Sequence, residues 1–204
     1  MGKTIAIVDY GAGNIASIRN ALEYLGMESV LAEKARQLRE AAGIVFPGQG
    51  NFGRAMQYME NAGTKEVLME EILSGKPYLG ICLGMQVLFE GSDESPGRDG
   101  LGVFRGRCRR FSVERKIPLI GWAKVMKKPG SKAFAGVEDG SYFYFVNSYF
   151  AVPEDKGIVS GTSFYGEEFC SAVGKGNVVG LQFHPENSGK NGIMMLENFK
   201  EMMR

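Results

Sequence analysis

Two short stretches, far apart in the sequence, hold the residue types that could do nucleophilic chemistry in this chain. Gly80-Ile81-Cys82-Leu83-Gly84 sets a cysteine between glycines, and Gly180-Leu181-Gln182-Phe183-His184-Pro185-Glu186 holds the only histidine, two residues before a glutamate. A thiol attacks as its thiolate, and an imidazole held by a carboxylate is the usual means of taking the proton at neutral pH. With no second histidine to choose, Cys82, His184 and Glu186 are the candidate catalytic triad. The glycines around Cys82 permit a strained strand-to-helix turn with the cysteine at its tip. There the helix dipole favours the thiolate, and the Leu83 amide can donate to an oxyanion. Taken alone, the same stretch also reads as a buried structural cysteine between two packing glycines. His184 and Glu186 flank a proline, which favours extended backbone. Residues two apart on a strand point the same way, so the carboxylate can orient the ring while its other nitrogen faces Cys82.

Two further loops are rich in glycine. Pro47-Gly48-Gln49-Gly50 follows an apolar run directly, and its backbone amides could turn toward an oxyanion; an ordinary Pro-Gly turn is the competing reading. Gly11-Ala12-Gly13-Asn14-Ile15-Ala16 formally fits a dinucleotide fingerprint, with Glu33 as a possible ribose ligand. Any strand-to-helix turn favours glycine and a capping Asn, so a structural or interface use competes with that one.

These loops need a scaffold of alternating strands and helices. Ile5-Ala6-Ile7-Val8 and Ile44-Val45-Phe46 read as buried strands, with a weaker one at 29–31, and Tyr78-Leu79-Gly80-Ile81 as the strand before Cys82. Residues 14–25 carry an apolar stripe closed by Gly26, helical stretches run to Leu73 with a break at Gly63, and a helix is expected over 85–89. Strand-helix alternation means parallel crossovers and a sheet covered on both faces. The second half changes character. Residues 142–150, 157–164, 169–173 and 178–183 are expected as mixed or antiparallel strands extending the same sheet, and a helix over about 192–202 closes the domain. The expected fold is thus α/β, one domain over 1–204, with a mostly parallel central sheet, helices on both faces and added antiparallel strands.

Composition narrows the partners. Lys and Arg total 24 against 23 Asp and Glu, so no excess of positive charge favours nucleic acid or an anionic membrane. Three scattered cysteines without a CxxC pair argue for a reducing compartment, and one histidine makes a metal site improbable. The N-terminal apolar run is too short for a signal sequence or membrane span. The chain is therefore expected to be cytoplasmic, with no metal and no cofactor.

Read together, these stretches resemble the class I glutamine amidotransferases, whose nucleophile turn reads G-x-C-x-G and whose base and acid read H-P-E. Within that family they are most similar to the glutaminase subunits of imidazole glycerol phosphate synthase. The matching stretches are Asp9-Tyr10-Gly11-Ala12-Gly13-Asn14, Pro47-Gly48-Gln49-Gly50-Asn51-Phe52-Gly53, Leu79-Gly80-Ile81-Cys82-Leu83-Gly84-Met85-Gln86, Tyr144-Phe145-Val146-Asn147-Ser148-Tyr149 and Gln182-Phe183-His184-Pro185-Glu186. The resemblance implies hydrolysis of glutamine to glutamate and ammonia through a γ-glutamyl thioester on Cys82. His184 would act as base and then acid, with Glu186 orienting it. Gly48, Gln49 and Gly50, with the Leu83 amide, would form the oxyanion region, and Gln86, Glu94, Ser148 and Tyr149 would hold the amino-acid end of the substrate. The ammonia would pass to a (βα)8-barrel cyclase subunit, forming a heterodimer that makes imidazole glycerol phosphate and AICAR in histidine biosynthesis. Asn14, Trp122 and Tyr144 match the family's interface positions.

Three positions depart from the family pattern. Leu119-Ile120-Gly121-Trp122-Ala123 stands where His-x-Gly-Trp-Asn is usual, Asn147 replaces a frequent His, and Asn187 replaces a common Lys after H-P-E. The last puts a lysine-dependent contact with the cyclase in doubt. Two other readings remain: a free-standing thiol amidohydrolase on the same fold, and a nucleotide-binding module using the Gly11-Gly13 loop with Cys82 structural.

Overall fold

Short runs of β-branched and aromatic residues make the centre of the molecule. In this computed structural model, residues 4–12 and 14–203 are described; Gly13 of the glycine loop, the first three residues of the N-terminal run and Arg204 lie outside them. The first half alternates as its periodicities require: β1 (Ile5–Val8), α1 (Ile15–Tyr24), β2 (Ser29–Ala32), α2 (Ala35–Glu40), β3 (Gly43–Phe46), α3 (Phe52–Ala62), α4 (Lys65–Leu73) and β4 (Tyr78–Ile81). Asn14 and Asn51 cap α1 and α3 by accepting from the backbone N–H groups of Ser17 and Arg54, and Gly63 ends α3 in the left-handed region. After β4 come α5 (Leu83–Gln86), β5 (Gly91–Ser92), β6 (Gly106–Arg110), β7 (Leu119–Lys127), β8 (Ser141–Asn147), β9 (Tyr149–Pro153), β10 (Val159–Phe164), β11 (Glu168–Lys175), β12 (Val178–Leu181) and α6 (Gly189–Glu201).

Nine strands form one sheet in the order β2-β1-β3-β4-β12-β11-β10-β7-β8. It is parallel from β2 to β12 and antiparallel from β12 to β8. Side chains of the central strands alternate between two cores. Ile5 and Ile7 pack with Ile18 and Leu22 of α1 and Leu196 and Phe199 of α6, while Ala6 and Val8 face Leu38, Met56, Met59 and Leu68 on the opposite side. None of the helices among the described residues is long and apolar enough to cross a membrane.

Several elements differ from the sequence expectation. The stretch 142–150 does not extend one sheet: it breaks at Ser148, with β8 on the edge of the large sheet and β9 in a separate three-stranded sheet, β5-β6-β9. Strand β7, with Gly121 and two lysines among its nine residues, has too little apolar alternation to announce itself, and its pairing with β8 and β10 holds it extended. The helix after Cys82 starts at Leu83 rather than Met85 and runs only four residues.

Candidate active site

Register brings the two chemical stretches together. Strand β12 lies parallel to β4 with Gly180 opposite Gly80 and Leu181 opposite Ile81. The residues that follow, Cys82 on one strand and Gln182 to His184 on the other, therefore leave the same edge of the sheet side by side. Strand β3 pairs on the other flank of β4, Phe46 opposite Gly80, so Pro47-Gly48-Gln49-Gly50 emerges next to Cys82. Ligands of parallel α/β sheets bind at the carboxyl ends of the strands, where all three segments meet.

The turn at Cys82 is strained as its glycines suggested. Cys82 has φ 49°, and it is the only non-glycine residue with positive φ among those described. Such a conformation costs on the order of 1–3 kcal/mol. The glycines on either side are required by close approach: a Cβ on Gly80 would lie 2.3 Å from Gly84 O, and one on Gly84 would lie 2.3 Å from Phe46 O. Buried Tyr78 fixes the turn from the strand before it, its hydroxyl donating to Gly84 O at 2.7 Å. With α5 a single turn, the dipole beneath Cys82 is smaller than a full helix would supply, and the first-turn amides, Leu83 N–H among them, are the local donors.

His184 is 1% exposed, and its Nδ1 lies 2.8 Å from Glu186 Oε1. The backbone between them is not the extended strand end expected from sequence but a 3-10 turn over Pro185–Asn187. The His184 N–H donates to Tyr144 O at 2.9 Å, and Ser188 Oγ donates to His184 O at 2.6 Å, so the backbone of His184 is held by strand β8 on one side and the start of α6 on the other. Nε2 has no protein hydrogen-bond partner. The Cys82 thiol lies beside the ring but donates to Val146 O at 3.7 Å. Burial of the ring opposes its charged form, yet the interactions with Cys82 and Glu186 outweigh it and carry His184 up to about 10.

The Gly48 loop touches both. A Cβ on Gly48 would sit 2.8 Å from Cys82 Cβ and 3.1 Å from His184 Cε1, so only glycine lets this backbone approach. Gln49 N–H does not point to Cys82. It donates to the Tyr10 hydroxyl at 3.0 Å, and that hydroxyl is itself 2.5 Å from Gln49 O and 3.1 Å from Pro47 O. Tyr10 stacks on Phe46 with ring centroids 4.9 Å apart, which anchors the loop to β3. Tyr10 lies in a stretch that resembles the family, but nothing in the sequence gives it this task.

Other expected site residues sit in more varied places. Gln86 is 5% exposed; its Nε2 donates to Tyr149 O at 2.9 Å and to Gln182 Oε1 at 3.1 Å. Gln182, which stands in the His184 stretch without a role that the sequence assigns, donates from Nε2 to Cys82 Sγ at 3.4 Å. Glu94 accepts from Phe52 N–H at 2.7 Å at the start of α3. Ser148 and Tyr149 are half-buried at the step from β8 to β9. Trp122, Tyr144, Val146, His184, Asn187 and Gln49 line one cleft of about 450 Å³, where Trp122 and Tyr144 meet edge to face with ring centroids 6.0 Å apart. Asn14 caps α1 and does not line that cleft. In the Gly11 loop, Gly11 N–H donates to Asp9 Oδ1 at 2.8 Å and the Tyr58 ring lies against Gly11, 3.2 Å from where a Cβ would stand. A buried cysteine and histidine at paired strand ends, with a carboxylate on the far side of the imidazole, can carry out acyl transfer to sulfur.

The geometry agrees with what this chain is similar to. A family model described as glutamine amidotransferase class-I matches residues 6–202. An imidazole glycerol phosphate synthase subunit HisH from Pyrococcus furiosus is 48% identical over 200 residues, covering 97% of this chain and 98% of that one. The protein of the same name from Thermococcus kodakarensis is 46% identical over 202 residues, covering 97% of this chain and 100% of that one. Among solved structures, PurLQS from Thermotoga maritima superposes with a TM-score of 0.80 at 20% identity, covering 100% of both chains. A structure titled as a glutamine amidotransferase gives a TM-score of 0.78 at 19% identity, covering 97% of this chain and 98% of that one. At those identities the two structures speak for the fold alone.

Proposed function

The chain belongs to the class I glutamine amidotransferase family, and on that premise we propose that the Cys82 site releases ammonia from glutamine. It is the glutaminase subunit of imidazole glycerol phosphate synthase, in histidine biosynthesis. The observation that carries the assignment of residues is the buried 2.8 Å contact from His184 Nδ1 to Glu186 Oε1, with Nε2 left unpartnered beside Cys82. Cys82 Sγ attacks the carboxamide carbon of the glutamine side chain. The carbonyl π electrons move onto oxygen, and the resulting oxyanion takes donors from the Leu83 amide and the Gly48-Gln49-Gly50 loop. His184, protonated by the cysteine, gives its proton to the departing nitrogen as the C–N bond breaks, leaving the thioester and ammonia. A water then gives its proton to His184 and attacks the thioester; the C–S bond breaks, glutamate leaves and the thiol is restored. Glu186 holds the ring in the tautomer and orientation both steps need.

Gln86, Glu94, Ser148 and Tyr149 are proposed to hold the amino-acid end of the substrate. Gln86 would do so through its oxygen, since its nitrogen is engaged by Tyr149 and Gln182. The partner is proposed to be a (βα)8-barrel cyclase seated over the cleft of Trp122 and Tyr144, with Asn14 at its margin, and the ammonia to pass between the subunits. The test is Cys82→Ala assayed in the complex. Glutamine-dependent synthesis is lost while synthesis from added ammonium salt persists; equal loss of both overturns the division of labour.

A further inference from the structure

Gln182 has no exposed surface, and its side chain joins the nucleophile to a second buried amide. Its Nε2 lies 3.4 Å from Cys82 Sγ, and its Oε1 accepts from Gln86 Nε2 at 3.1 Å. The two ends of an amide have nearly the same shape, so the direction of this chain needs a reference group that cannot change roles. The Tyr149 carbonyl supplies it. A backbone carbonyl only accepts, so the Gln86 atom 2.9 Å from Tyr149 O is the NH₂, and Asn147 Nδ2 donates to the same oxygen at 3.0 Å. The second proton of that Gln86 NH₂ goes to Gln182, which must therefore turn its oxygen to Gln86 and its own NH₂ to the sulfur. The reverse setting would oppose two NH₂ groups in a dry site and leave a donor unmet.

We infer that Gln182 is a further catalytic residue, a buried donor aimed at Cys82 Sγ whose direction is set by the Tyr149 carbonyl through Gln86, and that it stabilises the thiolate. The inference rests on Cys82 being the nucleophile. While the sulfur carries its proton, that proton goes to Val146 O and Gln182 donates to a sulfur lone pair. On ionisation that same bond becomes charge-assisted, at no cost in reorganisation because the relay is already aligned. The titratable groups around the sulfur are His184, from the turn after β12, and Tyr10, from the loop after β1; Glu186 acts on it through His184. Gln182 and Gln86 are uncharged, so their contribution is present at every pH at which the protein is folded.

The experiment reads the thiol rather than turnover, so its outcome is separable from that of the glutaminase assignment. Iodoacetamide alkylation of Cys82 in the full chain is followed by mass spectrometry across the neutral and alkaline range. In Gln182→Leu, which keeps the bulk and loses the donor, the rate at neutral pH falls about tenfold, as expected for one lost bond to a charged group. The whole pH profile moves toward alkaline, reaching the wild-type rate at its upper plateau. Gln182→Glu, which sets a carboxylate against the sulfur, moves it further. Profiles superimposable on wild type, or a loss that is the same at every pH, overturn the inference while leaving Cys82 as nucleophile. Should neither variant fold, the wild-type protein answers by nuclear magnetic resonance: the side-chain NH₂ signals of Gln182 shift as the thiol ionises, and signals that stay fixed overturn the proposal.

Discussion

One histidine in 204 residues makes the imidazole a probe of its own site. Its single Cε1 proton signal is expected not to titrate near the ordinary value of 6.5 but to move with a midpoint near 10. Burial lowers this pKa and the interactions with Cys82 and Glu186 raise it, so removing either partner lowers the midpoint; a Glu186→Gln signal that titrates as in wild type would contradict the pairing. Stability follows the same sign. The folded value is raised above the unfolded one, so the contribution is complete below about pH 6.5 and lost as pH rises toward 10. The difference in Tm between wild type and Glu186→Gln should therefore narrow over that window. The other two cysteines give a second residue-scale prediction. Burial pushes Cys108 well up and Cys170 up to about 12, so brief alkylation at neutral pH labels Cys82 alone. Equal labelling of all three, read by mass spectrometry, would remove the special character of the turn.

At the scale of elements, the loop between β3 and α3 is proposed to set whether the site is ready. Gln49 N–H is engaged by the Tyr10 hydroxyl, and a donor so occupied cannot also serve an oxyanion. Tyr10→Phe keeps the ring stacked on Phe46 and removes the bond, so glutaminase activity of the chain alone should rise, by up to the ~10²-fold that one oxyanion donor is worth. Steady-state kinetics check this, with kcat rising at unchanged KM; unchanged or lower kcat argues that Gln49 is not the donor. Wild-type activity alone should accordingly be low and should rise when the cyclase and its nucleotide substrate are added.

For the whole molecule, exposed apolar side chains stand beside the cleft where the cyclase is proposed to seat. Trp122 is 56% exposed, so its ring is not part of the core. With Tyr144 it forms an aromatic pair at the mouth of the cleft that also contains His184. Trp122→Ala should weaken cyclase binding by roughly 2 kcal/mol or more while the isolated chain keeps its Tm, as titration calorimetry and thermal unfolding would show. Unchanged affinity would take Trp122 out of the interface. Asn187 on the same rim can hydrogen-bond but carries no charge, so the affinity should depend only weakly on salt.

Much of this was legible in the chain itself because local chemistry leaves local marks. The candidate triad followed from residue types, since one histidine next to a Pro-Glu pair and one cysteine between glycines leave few alternatives. Strands β1, β3 and β4 were legible because strands buried on both faces are continuous apolar runs. Contacts set by register were not. Nothing in Gln182 or Tyr10 reports that one will face a sulfur and the other a backbone amide, because those meetings depend on β12 lying beside β4 and β1 beside β3. Nor does the sequence reveal that 142–150 divides between two sheets, or that half-exposed β7 is a strand, since each is decided by the neighbours available for pairing. Which groups can react belongs to the sequence; how each is held and what already occupies its hydrogen bonds is settled by tertiary structure, because strand pairing joins residues whose separation along the chain carries no signal.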